Sequence, residues 1–535
     1  MSAWVGTRRR LLGSAVAAAA AVVPIARAAR RATLLSGVRI GNGGHAFAGD
    51  GELLTTLSPF GERRVAHLRF VLARRARVVF DVLQTGQGAA SEQPVTSGSS
   101  QVGSRTLELP PGEHVLDWQP DPSLPARTYI LQVHVAGLAG ATARCVARLL
   151  GVDAGFLVRS AQPGDTAQLL IRTDAPTLRV QILHSGPEDE PTYANDLVNG
   201  VPVTEPVEID WSRHADRPAA IGVRVGDWPT GVYFARLDAD DGRTGFAPLI
   251  VRPAQPSRRV AVVMPTSTWQ AYNFYDADGD GWGDTWYARW RTTVVDLARP
   301  MAFRGVPYRY RSYDLGFQHW LAQTGKQVDV YADEDLELFP DPETLRSAYD
   351  LLVFPGHTEY VTARVYDLVE AYRDLGGNLM FLSANNFFRR VDRADQTVTL
   401  IDEWRNLQRP EAALLGVQYV ASDRGQRQQP FTVTGAAAAP WAFVGTGLAD
   451  GSQFGSYGIE IDARSPASPA QTQVLATIPD LFGPGRSAEM TYYEHESGAR
   501  VFSAGALNFG GQILLWPETR QLLENVWGRL APPAR

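Results

Sequence analysis

The chain has 535 residues, 44% hydrophobic and 20% charged, with a formal net charge of −6 and a single cysteine, Cys145. Such a length exceeds what one hydrophobic core fills and sets an expectation of roughly three domains. The mildly acidic balance, with no basic stripe, argues against a nucleic-acid partner, and one cysteine excludes an internal disulfide and every cysteine-based metal cluster.

The first residues are an address. Twin arginines, Arg8 and Arg9, precede the apolar run Ala15–Ile25, and Ala26-Arg27-Ala28 supplies small residues for cleavage. That order is a Tat-type bacterial export signal over residues 1–28, with a periplasmic or secreted mature protein. The apolar run is shorter than the ~20 residues a spanning helix needs, so no membrane span is expected in the mature form.

Residues 29–152 alternate apolar and polar positions in short runs, Arg64–Leu72, Ala76–Leu83 and Pro125–Val135 among them. They predict a β-sandwich-like domain, with Gly86–Ser104 as a loop and Cys145 as a small core residue. Residues 153–256 repeat the pattern: Leu157–Ser160, Thr166–Thr173, Thr177–Leu183, Ile221–Val225 and Val232–Leu237 predict a second β-rich domain. A long loop is expected over Ser185–Glu208.

From residue 257 to 535 the pattern changes. Strand-length runs at Val260–Met264, Gln327–Tyr331, Leu351–Phe354 and Leu379–Ser383 alternate with helical stretches at Asp314–Gln323, Pro342–Tyr349 and Thr362–Leu375. That alternation predicts right-handed crossovers and a mostly parallel sheet, covered on both faces. The whole is then a multidomain α+β protein, two β-sandwich-like domains followed by an α/β domain with a glutamine-amidotransferase-like pattern.

In such a sheet ligands bind at the carboxyl ends of the strands. Val260–Met264 opens at Pro265 into an aromatic loop carrying Trp269, Tyr272, Asn273 and Tyr275. Leu351–Phe354 opens into Gly356-His357-Thr358-Glu359-Tyr360, and Leu379–Ser383 into Ala384-Asn385-Asn386. An imidazole, a carboxylate, a phenol and an amide then face one crevice; the alternative is that His357 and Glu359 only cap the helix that follows. No cysteine stands at a strand end, and neither Ser267 nor Ser383 lies in a G-x-S-x-G elbow. Hydrolysis, if it occurs, calls for a metal-activated water rather than an acyl-enzyme.

Asp276, Asp278, Asp280 and Asp284, with Gly281, match positions 1, 3, 5, 9 and 6 of a calcium loop. Position 12 is Tyr287 instead of the bidentate glutamate, so calcium and a plain Asp/Gly turn both stay open.

The segments WPTGVYFARL (Trp228–Leu237), MPTSTWQAYN (Met264–Asn273), GHTEY (Gly356–Tyr360) and GGNLMFLSAN (Gly376–Asn385) occur in this order. Together they resemble the large subunit of N,N-dimethylformamidase, from roughly residue 150 to the C-terminus. The resemblance implies β-rich domains beside an amidotransferase-like domain without its nucleophile. It also implies one ferric ion held by two tyrosinates and a glutamate, here Tyr233, Tyr272 and Glu359. His357 and Asn385 become substrate-facing residues by the same motifs. Expected is an exported, iron-dependent amidohydrolase acting on a small amide or formamide, with a small subunit or homo-oligomer as partner. Val361 and Asn386-Phe387-Phe388 depart from the family's pattern, so the substrate need not be dimethylformamide. The rival is a non-catalytic calcium- and carbohydrate-binding protein whose exposed indoles, Trp269, Trp282, Trp286 and Trp290, stack on sugars.

Overall fold

The computed structural model describes residues 34–531 except 85–100, 139, 193, 289–291 and 424–426. The expected export signal, Trp290 and most of the expected Gly86–Ser104 loop lie outside the described residues. The protein is multidomain and mostly β.

Two sheets make the first sandwich. The strands Leu35–Gly41, Ala66–Leu72 and Gly112–Trp118 form one, and a five-stranded sheet centred on Arg127–Val135 forms the other. Ala66–Leu72 buries Ala66, Leu68, Phe70 and Leu72 and turns the residues between them outward, the period-2 pattern of a half-buried strand. These side chains meet Val78, Phe80, Leu131, Val133 and Cys145 in one core. Burial pushes the Cys145 thiol up to about 12, which suits a packing residue and not a nucleophile. Residues 101–104, expected in a loop, belong to the strand Gln101–Leu109, paired along Ala76–Gln84.

The second sandwich pairs a six-stranded sheet with the three strands Ala219–Arg224, Thr166–Arg172 and Asp153–Phe156. Leu157–Arg159, expected as a strand, is not one; the strand ends at Phe156. Thr244–Val251, unmarked in the sequence because it is apolar on both faces, pairs along Gly231–Ala239.

The third region carries a nine-stranded sheet. Asp329–Ala332, Val260–Met264, Leu351–Phe354, Asn378–Phe381 and Arg500–Ser503 run parallel in that spatial order. Beyond Arg500–Ser503 the sheet continues antiparallel through Ala488–Glu494, Gln473–Ile478, Gln428–Val433 and Gln453–Gly458. The expected mostly parallel sheet is thus mixed, because its C-terminal strands pair antiparallel with one another and with Arg500–Ser503.

Both faces of Val260–Met264 are covered. Val260, Val262 and Met264 pack with Phe317, Trp320, Leu522 and Val526, while Ala261 and Val263 pack with Leu345, Tyr349, Val365 and Val369. Each such buried aliphatic side chain contributes about 1.5–3 kcal/mol relative to exposure. Phe234, Phe246 and Ile250 of the second sandwich join the first of these cores, so the two regions share apolar packing. A small sheet of Val294–Asp296, Thr397–Glu403, Arg389–Ala394 and Tyr360–Val361 flanks the strand ends.

Val260–Met264 is the topological switch. The chain leaves it for Asp329–Ala332 on one side and returns to Leu351–Phe354 on the other, which opens a crevice at the carboxyl ends.

Candidate active site at the carboxyl ends of the parallel strands

The segment after Val260–Met264 is not a loop but a short helix, Thr266–Ala271, with every residue buried. Its threonines and serine bond outward: Thr266 Oγ1 donates to Asp333 Oδ1 at 2.7 Å, and Ser267 N to Asp333 Oδ2 at 2.9 Å. Thr268 Oγ1 accepts from the backbone N–H of Glu359 at 3.1 Å and of Tyr360 at 3.4 Å. That hydroxyl ties the helix to the segment following Leu351–Phe354. Tyr272 ends the helix and projects toward the same segment.

His357 and Glu359 do not cap the next helix. Thr362 does, its side chain accepting from Val365 N. Instead Asn386 Oδ1 accepts from Thr358 N at 2.9 Å, and Arg389 N donates to Glu359 O at 3.0 Å. Asn385 and Phe387 adopt φ of 55° and 56°, a left-handed conformation that non-glycine residues rarely take and that gathers at functional sites.

Glu359 is the centre of the cluster. It is 2% exposed, and Tyr272 OH donates to its Oε2 at 2.6 Å. Tyr287 OH lies 3.4 Å from both carboxylate oxygens and hydrogen-bonds the hydroxyl of Tyr360. The rings of Tyr272 and Tyr287 stack at 4.5 Å, and Tyr308 lies parallel to Tyr272 at 6.4 Å. Arg389 Nε approaches Glu359 Oε1 at 3.5 Å. Burial pushes the Glu359 carboxyl up, opposed by Arg389 and the phenol hydrogen bonds. Burial and the Glu359 charge hold Tyr272, Tyr287 and Tyr360 well above the ordinary phenol range.

On the other side of Glu359 stands His357, with Nε2 at 3.4 Å from Glu359 Oε2 and 3.6 Å from Glu460 Oε2. Burial lowers this imidazole to about 3, so it is neutral at physiological pH. Asn385 Nδ2 donates to Glu460 Oε2 at 2.8 Å, and its backbone N–H to Asp462 Oδ1 at 2.8 Å. Burial raises Glu460 to about 8, with the Glu359 charge adding to the effect, and raises Asp462 to about 8. His357 Nε2 and Asn385 Oδ1 are buried without a hydrogen-bond partner. Unsatisfied polar atoms in so tight a space are costly unless a ligand completes them.

The structure thus brings together Tyr272, His357, Glu359 and Asn385. It does not bring Tyr233 to them. Tyr233 lies in the second sandwich core, its hydroxyl donating to Pro229 O at 2.6 Å and its ring stacked on His184 at 4.5 Å. The GVYF motif placed it on an inward strand position whose phenol turns back on its own chain, as a corner brace. Tyr287, which the sequence marks only as the non-ligand at position 12 of the Asp-rich loop, and Glu460 and Asp462, which it does not mark at all, are not expected at the site from the sequence. Tyr287 sits only 15 positions after Tyr272 in DTWYAR, while Glu460 and Asp462 share no motif and reach the site only through tertiary folding.

Could this cluster hold a cation? Three phenols and a carboxylate converge on one point beside two orphaned polar atoms, a hard oxygen donor set that would become anionic by giving up phenol protons to a trivalent ion. The residues fit. The set is Tyr272, Tyr287 and Glu359, with Tyr360 behind Tyr287.

Among the described residues, the indoles Trp269, Trp282 and Trp286 do not form a sugar-stacking platform. Trp269 and Trp286 are buried, Trp269 Nε1 donating to Asp314 Oδ2 at 3.3 Å and Trp286 packing on Tyr360. Trp282 packs beside Leu83 and Ile130.

In the Asp-rich loop, ligand atoms of Asp276, Asp278 and Asp284 lie within 4.8 Å of one another. Asp280 is not in that group; its Oδ1 accepts from Trp282 N at 2.9 Å. Asp276 accepts from Gly279 N and Gly281 N at 2.7 and 2.9 Å, and burial pushes it up to about 7. The loop presses on the first sandwich, where a Cβ at Gly281 would collide with Ile130. Both glycines also have positive φ, 76° at Gly279 and 91° at Gly281.

No curated protein matches the chain. Among solved structures, Salmonella alpha-2-macroglobulin reacted with methylamine is similar over 41% of this chain and 17% of that one, at 11% identity and a TM-score of 0.22. CBD12 from CALX1.2 is similar over 40% of this chain and 99% of its own, at 10% identity and a TM-score of 0.16. The chain therefore spans about a sixth of the length of the macroglobulin. The family model described as N,N-dimethylformamidase beta subunit-like, C-terminal, matches residues 202–520, a span that holds Tyr272, Tyr287, His357, Glu359, Asn385 and Glu460. On that match the chain belongs to the N,N-dimethylformamidase beta subunit-like family.

Proposed function

We propose that this chain is an exported, iron-dependent amidohydrolase of the dimethylformamidase type, hydrolysing a small amide or formamide. The carrying observation is the convergence of Tyr272, Tyr287 and Glu359 beside His357, Asn385 and Glu460, within the span matched by the family. The parallel strands with helices on both faces support reading residues 257–535 as an amidotransferase-like α/β domain. The cysteine-free strand ends agree with a site that uses no thiol nucleophile.

Two phenolates and one carboxylate balance the charge of a ferric ion, and Tyr272, Tyr287 and Glu359 would hold it. Such an ion supplies Lewis acidity toward an amide carbonyl and toward water. The chain's own residues do the rest. Asn385 has a buried Oδ1 free to accept from the substrate or its attacking water, while its Nδ2 is committed to Glu460. Once Glu460 has given its proton to the departing amine, His357 Nε2, between Glu359 and Glu460, takes a proton from the attacking water and passes it to the Glu460 carboxylate, which restores the acid. Glu460, kept protonated by burial, is the group suited to protonate the departing amine. The aromatic wall of buried Tyr272 and Tyr360 with half-buried Tyr308 limits access of bulk water.

Metal content and visible absorption of the purified protein test this. Iron with a phenolate charge-transfer band is expected in wild type and in Tyr233→Phe, and is expected to be lost in Tyr272→Phe, Tyr287→Phe and Glu359→Gln. Wild type free of iron from iron-replete cells, or full iron in all three ligand variants, overturns the assignment. For the Asp-rich loop, we propose calcium bound by Asp276, Asp278 and Asp284, supported by the convergence of their oxygens. Export by the Tat route is proposed on Arg8, Arg9 and the run Ala15–Ile25.

A further inference from the structure

A second cleft, of about 500 Å³, lies between the second sandwich and the nine-stranded sheet. Its volume falls within the roughly 300–1,000 Å³ typical of small-molecule sites. None of the residues of the Glu359 cluster lines it. It exists because Thr230 holds the two regions at a fixed spacing. Thr230 Oγ1 accepts from Val330 N at 2.8 Å and donates to Val330 O at 3.2 Å, covering the open edge of Asp329–Ala332 with a side chain where a strand would otherwise lie. The floor left behind is apolar, with Trp228, Val232, Met264 and Leu321.

The charge of this cleft runs against that of the protein. The chain carries −6 overall, yet Arg252, Arg258 and Lys326 line the cleft and no aspartate or glutamate does. Lys326 is committed, with both Glu524 oxygens within 2.9 Å of Nζ. Arg252 Nε stands 3.5 Å from Asp335 and Nη1 donates to Gln162 at 3.2 Å. Arg258 differs. It is exposed, its guanidinium donates to the neutral Gln327 amide at 3.3 Å, and among the described residues no carboxylate pairs with it. His184, also at the cleft, is pushed down to about 4 by burial and adds an uncharged ring.

An apolar floor beside an unpaired guanidinium and a second arginine is complementary to an apolar anion. Burying the ring surface supplies affinity, and the fork of the guanidinium orients a carboxylate. We propose that this cleft is a binding site for a small aromatic monocarboxylate, its carboxylate on Arg258 and its ring against Trp228.

Titration calorimetry on the full chain tests the proposal, with 2-naphthoate, 2-naphthylmethanol and acetate as probes. The expected result is that 2-naphthoate binds, that the alcohol binds at least about tenfold more weakly, and that acetate gives no heat. Arg258→Glu, at an exposed position, is expected to weaken 2-naphthoate by about tenfold or more without loss of thermal stability. Glu359→Gln is expected to bind it as wild type does. Equal binding of the alcohol, heat from acetate, unchanged binding by Arg258→Glu, loss of binding in Glu359→Gln, or no heat from 2-naphthoate at millimolar concentration would each overturn it.

Discussion

The hydroxyl of Tyr272 donates to Oε2 of Glu359 at 2.6 Å, joining residues 87 positions apart. The bond crosses the switch point of the nine-stranded sheet, from the helix after Val260–Met264 to the segment after Leu351–Phe354. Both groups are buried, so neither the phenol nor the carboxylate finds water to replace the other. Removing one therefore leaves the other's polar atoms unsatisfied.

Glu460→Gln keeps the shape of the side chain and the hydrogen bond with Asn385 but removes a transferable proton. Amide turnover is expected to fall by about 10²–10⁴ in kcat, with KM changed little, as for loss of a general acid. Iron content is expected to stay at the wild-type level. A rate within twofold of wild type would remove Glu460 from the proposed chemistry.

At Gly356 an added Cβ would collide with Asp314 Oδ1 and approach Pro265, so the Asp314 side chain or the segment must shift. Gly356→Ala should force the His357–Glu359 segment away from the π-helical turn carrying Asp314. The expected cost is about 1–3 kcal/mol in chemical denaturation. Asp314→Ala, by removing the obstacle, should restore part of that loss in the double variant.

Asp314 is 2% exposed, and burial raises its carboxyl to about 8. Because the folded value lies above the unfolded one, the folded protein binds the extra proton. Stability from this group is full below about pH 4 and is lost as pH rises toward 8, by up to about 1.4 kcal/mol per unit. Asp314→Asn should flatten the fall of Tm between pH 5 and 8. A slope identical to wild type would show that Asp314 does not titrate across that range.

Calcium at Asp276, Asp278 and Asp284 should raise the melting temperature by mass action, by the equivalent of about 2.7 kcal/mol at a hundredfold excess over Kd. Chelator-treated protein should lose that increment, and Asp284→Asn should never gain it. A flat calorimetric trace with calcium would leave the loop as a brace against the first sandwich, where Arg148 Nη2 already donates to Ala277 O at 3.1 Å.

Changing Arg8 and Arg9 to lysine should leave the precursor uncleaved in the cytoplasm, read by fractionation and N-terminal sequencing. A variant processed near Ala28 like wild type would exclude the Tat route.

What the sequence by itself determined was what local chemistry dictates. Alternation in Ala66–Leu72 and Thr177–Ser185 set their inward faces. Unbroken apolar runs at Val260–Met264 and Leu351–Phe354 marked strands covered on both sides, and their carboxyl ends marked the crevice with Tyr272, His357, Glu359 and Asn385. Only the tertiary structure decided the rest. It bent the segment after Pro265 into a helix whose Thr266, Ser267 and Thr268 each bond to a distant segment, at Asp333 or at Glu359. It turned Tyr233 into its own sandwich, where its hydroxyl meets Pro229 O, and set Tyr287 against Tyr272 in its stead. It also delivered Glu460 and Asp462 from beyond the hairpins that end the parallel order of the sheet. Motif spacing reports which residues lie at a strand's end. Which phenols reach the buried carboxylate depends on burial and on competing hydrogen-bond partners, and those exist only once the sheets have packed.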